Sequence, residues 1–314
     1  MQWFLLSLIA FFFWSGSDFF SKLGSRPDDK LSHWKMVIAV GLVMGLHALW
    51  EVTVGGVQIT FSDILVYLPA SALYIGSMIL GYIGLRYIEL SISSPICNCS
   101  GAVAAILCFL FLHEIPGPLS LVAVALIGVG LVSLGIVERR EDEEARALRQ
   151  AQGIRYSRSA LALILPLLYC LLDALGTFID AIILRDEDTG TFLDALFPTP
   201  LAEETANVCY ELTFLFMGIL AAVYVFVIRK ERPRVPREAP KLFGAVCETA
   251  GQLAYVYALG DTEHAGFSAA IISAYCAMSV LLSRLFLKEK LSLWHYLSIL
   301  LAFAGIIILG VIDP

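Results

Sequence analysis

The chain has 314 residues, of which 59% are hydrophobic and 16% charged, and its mean hydropathy is +0.80. Soluble domains hold about 45–50% apolar residues, so this composition excludes a water-soluble enzyme and specifies an integral membrane protein. The formal charge of -7 carries little information as a total, because the charges are segregated along the chain.

Ten apolar segments follow one another, at about residues 2–22, 33–50, 62–86, 91–112, 118–137, 159–184, 205–228, 241–260, 264–286 and 291–312. Each is close to the roughly 20 residues that cross about 30 Å of hydrocarbon, so each is predicted to be a transmembrane helix, numbered 1 to 10 in chain order. The first segment lacks a basic leader and a clear small-residue cleavage site, and is expected to be retained as a helix. Pro95 falls in the first turn of helix 4, where proline is tolerated. Three links are long: the charged stretch 138–158, the acidic stretch 185–204 and the Pro/Arg stretch 229–240. The expected organisation is a five-helix repeat over 1–137, a charged linker over 138–158 and a second five-helix repeat over 159–314.

The repeat is visible in register. A shift of 175 positions places Phe111-Leu112-His113-Glu114 on Phe286-Leu287-Lys288-Glu289, Gly130 on Gly305 and Leu134-Gly135 on Leu309-Gly310. The same shift places Tyr82 on Tyr257, Ser93 on Ser268, Ile96 on Ile271 and Ala102 on Ala277. An odd number of crossings per repeat inserts the two copies upside down relative to each other, an architecture used to move small solutes. Lys and Arg test this. Twenty of the 21 basic residues follow odd-numbered helices, and only Arg185 lies on the other side. By the positive-inside rule those loops are cytoplasmic and both termini lie outside. The link between helices 4 and 5 (His113-Glu114-Ile115-Pro116) has no Lys or Arg, whereas its partner between helices 9 and 10 (Lys288-Glu289-Lys290-Leu291) has two. Opposite bias is what inversion requires.

Helix 1 reads Trp14-Ser15-Gly16 with a later Lys22, and the chain closes on Leu287-Lys288-Glu289-Lys290-Leu291-Ser292 and a helix carrying Ala304-Gly305. These features, with the repeat and the helix number, resemble the drug/metabolite transporter superfamily in its ten-helix EamA-like branch. Trp14 and Gly16 are separated by one residue where the family has them adjacent, and Lys288 and His113 stand where it usually has Gly. The resemblance implies an all-α integral membrane fold of two inverted five-helix repeats, and secondary transport of a metabolite that it does not name.

Ionisable groups at membrane depth are costly and mark pathways or pairs. Asp173 falls near the middle of helix 6, with Tyr169, Thr177 and Asp180 on the same stripe. It can bind a cation or carry a coupling proton; the alternative is a carboxyl hydrogen-bonded for packing. Glu248 starts a stripe on helix 8 with Gln252 and Tyr255, as a substrate ligand, a gate or a wetted vestibule residue. Asp18 has Trp14 one turn before it, a cation site by charge and ring face, but Lys22 at i+4 favours a salt bridge. Glu211 reads as a solvated mouth residue. Ser71 and Tyr74 on helix 3, Ser94 and Asn98 on helix 4, and Tyr275 on helix 9 are either substrate contacts or interhelix glue. The acidic stretch 185–204 reads as a solvated loop that can also concentrate cations.

The cysteines have no ligand spacing and the five histidines are scattered, so no metal, cofactor or catalytic constellation is expected, and no Walker-type loop provides ATP coupling. The reading is a secondary active transporter of a small cationic or zwitterionic metabolite. Trp14, Ser71, Tyr74, Asn98, Asp173, Thr177, Glu248, Gln252 and Tyr275 bind substrate in it, and Asp173 or Glu248 carries the proton. The alternatives are an uncoupled facilitator of neutral metabolites and a membrane sensor or assembly protein without flux. The expected location is a bacterial cell membrane, with the bilayer, the substrate and optionally a second copy of the chain as partners, and no nucleic acid.

Overall fold

The computed structural model describes residues 2–24, 29–84, 97–112, 117–150, 160–185, 192–232, 235–261, 263–287 and 292–312. They form helices, with no strand among them: α1 Gln2–Gly24, α2 Ser32–Trp50, α3 Phe61–Gly84, α4 Ser100–Phe111, α5 Pro118–Gln150, α6 Ala160–Ile183, α7 Glu203–Ala222 and α8 Val235–Gly260. Two pieces follow, α9a Ala265–Ser273 and α9b Tyr275–Leu287, and α10 Leu293–Ile312 closes the chain. A short helix, Phe192–Leu196, lies between α6 and α7. Among the described residues five helices are long and apolar enough to cross a bilayer and four apolar helices are shorter. Large apolar side chains such as Leu46 (60% exposed) and Leu110 (67%) point outward, as a lipid-facing surface demands.

The fold carries the repeat in its packing. Helices α2 and α5 lie antiparallel against their own counterparts in the other half, and α4 lies antiparallel to α9a, the piece that precedes its counterpart α9b. On the α2–α7 seam, Val37 and Gly41 face Gly218 while Gly45 faces Leu215. On α4–α9a, Gly101 abuts Ala269 and Ser273, and Phe109 lies against Phe267 further along. On α5–α10, Gly130 abuts Ser298 and Ala302 while Gly305 abuts Ala123 and Ile127. This last set maps onto itself under the 175-position shift. Helices that pack antiparallel to their own repeats are inverted copies. The remaining large contacts also come in equivalent pairs, α1 on α8 with α3 on α6, and α2 on α8 with α3 on α7.

Bilayer lipid is as apolar as Leu, so helix association rests on close packing at small residues rather than on water exclusion. At Gly130, an added Cβ would lie 2.8 Å from the Ala302 nitrogen and the Ser298 oxygen, so the seam admits only glycine without backbone movement. Among the described residues the interior holds two large apolar clusters and two small ones; the large ones divide the helices between them. One draws mainly on α2, α3, α6, α7 and α8, the other mainly on α1, α4, α5, α9a, α9b and α10.

Three features differ from the sequence reading. Helix 5 does not stop near 137: α5 runs to Gln150 into the charged stretch, whose Glu, Arg, Ala and Leu are good helix formers. Helix 9 is broken at Ala274 (φ -73, ψ 0), whose N–H turns back to Ile271 O at 3.1 Å. In the first repeat the equivalent residue, Cys99, is a turn directly before α4. Both α2 and α7 end in π-helical turns, Glu51–Gly55 and Val223–Ile228. Ser94, Pro95 and His113 lie outside the described residues, as do Asp186, Glu187 and Asp188 of the acidic stretch and the Lys288–Lys290 link.

At the face carrying the basic loops, a cluster of ion pairs ties three segments together. Lys35 Nζ of α2 lies 3.0 Å from Asp29 and 2.5 Å from Glu231, which follows α7. Lys241 Nζ of α8 lies 2.8 Å from Glu238 and 3.8 Å from Asp29. At the opposite face Arg185 donates to the Ile182 and Phe197 carbonyls, each at 2.6 Å, and reaches Asp194 at 3.4 Å. The acidic stretch is therefore anchored by its one base at the point where it leaves α6.

Candidate functional site

Three of the acids predicted at membrane depth, Asp18, Asp173 and Glu248, converge between the two halves. Asp173 is the tenth residue of the apolar stretch Ile164–Ile183, which places it near mid-membrane. Its carboxylate accepts hydrogen bonds from Ser100 Oγ at 2.7 Å and Ser77 Oγ at 3.2 Å, joining α6 to α4 and α3. Glu248, on α8, takes a hydrogen bond from Ser17 of α1 and lies within electrostatic reach of Asp173 and Asp18. All three acids are half-buried, although they sit inside the bundle. An accessible carboxylate surrounded by helices lines an internal chamber.

Aromatic rings wall that chamber. Trp14 packs on Tyr255 with centroids 4.9 Å apart and faces Tyr275 at 6.0 Å. Tyr82 is close to Glu248 and Asp18, Tyr169 to Asp173, Glu248 and Tyr275, and Tyr275 to all three acids. Glycine allows these rings to approach: Gly251 lies under the Trp14 ring, and Gly81 under the Tyr169 ring. The helix breaks at Cys99 and Ala274 fall beside the chamber, so that Ser100 and Tyr275, one residue after each break, both point at its contents. Discontinuous helices at a repeat interface are a recurrent device for presenting groups to a solute.

Seven of the nine residues singled out from sequence are thus related by the structure: Trp14, Tyr74, Asp173, Thr177, Glu248, Gln252 and Tyr275. Tyr74 and Thr177 reach the site through Tyr255 rather than directly: Tyr255 OH lies within hydrogen-bond distance of Tyr74 OH and donates to Thr177 Oγ1 at 2.8 Å. Gln252 is 3% exposed, one residue from the Gly251–Trp14 contact, and its Nε2 has no protein acceptor. The Trp14 Nε1 is in the same position. Ser71 is fully buried with no hydrogen-bond partner on its Oγ, and it touches none of the three acids by hydrogen bond. Asn98 is buried just before the Cys99 turn.

One reading changes. Glu211 is not a solvated mouth residue: its side chain is 0% exposed, and His47 Nδ1 of α2 lies 2.9 Å from its carboxylate. Asp18 joins the chamber acids, while the side chain of Lys22 lies outside the described set. Sequence reasoning left Ser77, Ser100 and Tyr67 unnamed. Tyr67 and Tyr74 are seven residues apart, as are Asp173 and Asp180, and two such spacings on facing helices were the available signal.

A bundle of apolar helices packed as inverted repeats defines an integral membrane protein. One solved structure among 28 matching chains, described only as the crystal structure of a protein, superposes on 100% of this chain and 99% of its own, with a TM-score of 0.69. At 12% identity that likeness shows the fold alone. The chain belongs to the EamA-like transporter family, which it matches over residues 1–136 and 207–311. No curated protein matches it by sequence.

Proposed function

We propose that this membrane transporter is a secondary carrier of a small cationic or zwitterionic metabolite, working by alternating access and driven by proton exchange. The carrying observation is the chamber itself: among the described residues, the charged groups within reach of Glu248 are Asp18 and Asp173, both acidic, among the rings of Trp14, Tyr82, Tyr169 and Tyr275. A carboxylate pair beside aromatic faces attracts an ammonium group both by charge and by the ring quadrupole. Two nearby carboxylates also resist double ionisation, so one of them releases a proton when a cation enters. Asp173 and Glu248 are the proton carriers in this reading, and Trp14, Gln252 and Tyr275 complete the substrate's surroundings. The basic face is cytoplasmic and both termini lie outside, on the strength of the Lys/Arg distribution, and a bacterial cell membrane is the location we propose.

The test is uptake and efflux in proteoliposomes under an imposed pH gradient, with amines and amino acids first screened by thermal shift. Asp173→Asn and Glu248→Gln should each abolish gradient-driven flux. Undiminished flux in both variants would refute proton coupling through these residues, and counterflow insensitive to pH would establish an uncoupled facilitator instead.

A further inference from the structure

Asp180, two turns beyond Asp173 on α6, is fully buried and takes no part in the chamber described above. Its carboxylate is held by hydroxyls: Tyr67 OH donates to Oδ1 at 2.6 Å and Tyr74 OH to Oδ2 at 3.2 Å. The titratable groups facing it are Tyr67 and Tyr74 from α3, Tyr210 from α7 and Tyr255 from α8, with Asp173 seven residues earlier on its own helix. The chain of hydroxyls then continues from Tyr74 to Tyr255 and on to Thr177. It ends at the chamber wall, because the Tyr255 ring lies against Trp14.

Each of these hydroxyls has one proton to donate, and that fixes how the chain responds to Asp180. With Asp180 ionised, Tyr74 must donate to it, and the short Tyr74–Tyr255 contact is filled only when Tyr255 turns its proton from Thr177 to Tyr74. With a proton on Oδ2, Asp180 becomes the donor to Tyr74, the Tyr74 proton turns to Tyr255, and the Tyr255 proton turns to Thr177. No bond is made or broken beyond the one O–H on Asp180, yet the Tyr74 and Tyr255 hydroxyls reverse together. Such chains strengthen cooperatively in a low-dielectric interior, so the two directions are discrete states rather than a blend.

We propose that Asp180 is a positioning residue for the central site, whose proton sets the direction of the Tyr74–Tyr255–Thr177 chain and thereby the placement of Tyr255 against Trp14. Its consequence for transport rests on the carrier reading above, whereas the chain can be tested without any flux. The experiment uses the full-length protein in detergent, with Trp3, Trp34, Trp50 and Trp294 replaced by Phe so that Trp14 alone reports. Trp14 emission is followed through a pH titration. A sigmoidal transition is expected, lost in Asp180→Asn and retained in Asp173→Asn and Glu248→Gln. Tyr255→Phe, which cuts the chain but leaves Asp180 its two donors, should flatten it as well. Persistence of the transition in Asp180→Asn, or its loss in Asp173→Asn or Glu248→Gln, overturns the proposal. If Asp180→Asn does not fold, Tyr67→Phe decides: removing one of the two donors must displace the midpoint, and an unmoved midpoint overturns the assignment. Loss of gradient-driven flux with the Trp14 transition intact, or the reverse, separates the fate of this inference from that of proton coupling.

Discussion

Replacing Gly251 by Ala should damage the chamber, while the same change at its repeat equivalent, Gly76, should not. A Cβ at Gly251 would lie 2.5 Å from Trp14 Cδ1 and 2.8 Å from its Nε1, whereas ordinary contact begins at 3.4 Å, so the indole must retreat by about 0.9 Å. Tyr255 at 4.9 Å and Tyr275 at 6.0 Å flank it on two sides. Overpacking of this kind costs about 1–3 kcal/mol, against which the better helix propensity of Ala returns up to about 1 kcal/mol. A Cβ at Gly76 meets only Leu172 Cδ1 at 3.7 Å, which is normal packing. Gly251→Ala should therefore lower the melting temperature in detergent and weaken apparent substrate affinity by about 5–150-fold, the equivalent of 1–3 kcal/mol. Gly76→Ala should be neutral or slightly stabilising. Equal tolerance of the two changes would refute the placement of Trp14 and, with it, the asymmetry of the chamber.

Gly130→Ala and Gly305→Ala should both destabilise by about 1–3 kcal/mol, because each new methyl meets backbone: Ser298 and Ala302 in one case, Ala123 O at 2.5 Å in the other. Thermal unfolding in detergent would show it, and an unchanged melting temperature in both would contradict the α5–α10 seam. Asp29→Ala removes the carboxylate shared by Lys35 and Lys241, whose side chains are 9% and 3% exposed. Because Lys35 keeps Glu231 and Lys241 keeps Glu238, the loss should be about 1 kcal/mol, and Asp29→Asn should recover part of it. Arg185→Met should loosen the segment after α6, since two carbonyls and Asp194 lose their common donor; faster limited proteolysis near 186–201 is the expected readout.

Much of the scaffold could be read from the chain because it rests on local pattern. Apolar length located the helices, and the 175-position register identified Gly130 and Gly305 as equivalents, which the α5–α10 seam bears out. The breaks at Cys99 and Ala274 carry no such mark: neither is Gly or Pro, so nothing at that position announces a turn. The charged run after 137 reads as a linker by composition, yet its residues favour helix, and α5 continues through it. Glu211 was misplaced because its partner, His47, is 164 residues away and depth along a helix does not reveal what packs beside it. The hydroxyl cage of Asp180 draws Tyr67, Tyr74 and Tyr255 from α3 and α8. Each tyrosine alone is an ordinary interfacial or core residue, and only their convergence is informative.

The symmetry of the scaffold and the asymmetry of the site have separate consequences for a carrier. If the halves exchange conformations, the two end states have similar packing, since the α5–α10 seam maps onto itself and the α1–α8 and α2–α8 contacts have equivalents in α3–α6 and α3–α7, and the gap between them is small. A gap of a few kcal/mol is one that a ligand or a proton can reverse, provided it interacts differently with the two states. That difference cannot come from the symmetric parts. It must come from positions where the repeats disagree, and these are the chamber residues: Leu73 stands opposite Glu248, Ser77 opposite Gln252, Leu80 opposite Tyr255 and Ser100 opposite Tyr275. Ser77 and Ser100 hold the Asp173 carboxylate, whereas their counterparts Gln252 and Tyr275 sit around Trp14. One repeat thus fixes the acid that carries charge, and the other supplies the aromatic and amide surface beside it. Charge entering or leaving this chamber acts on one half more than the other, and that imbalance is what can tip an otherwise balanced pair of states.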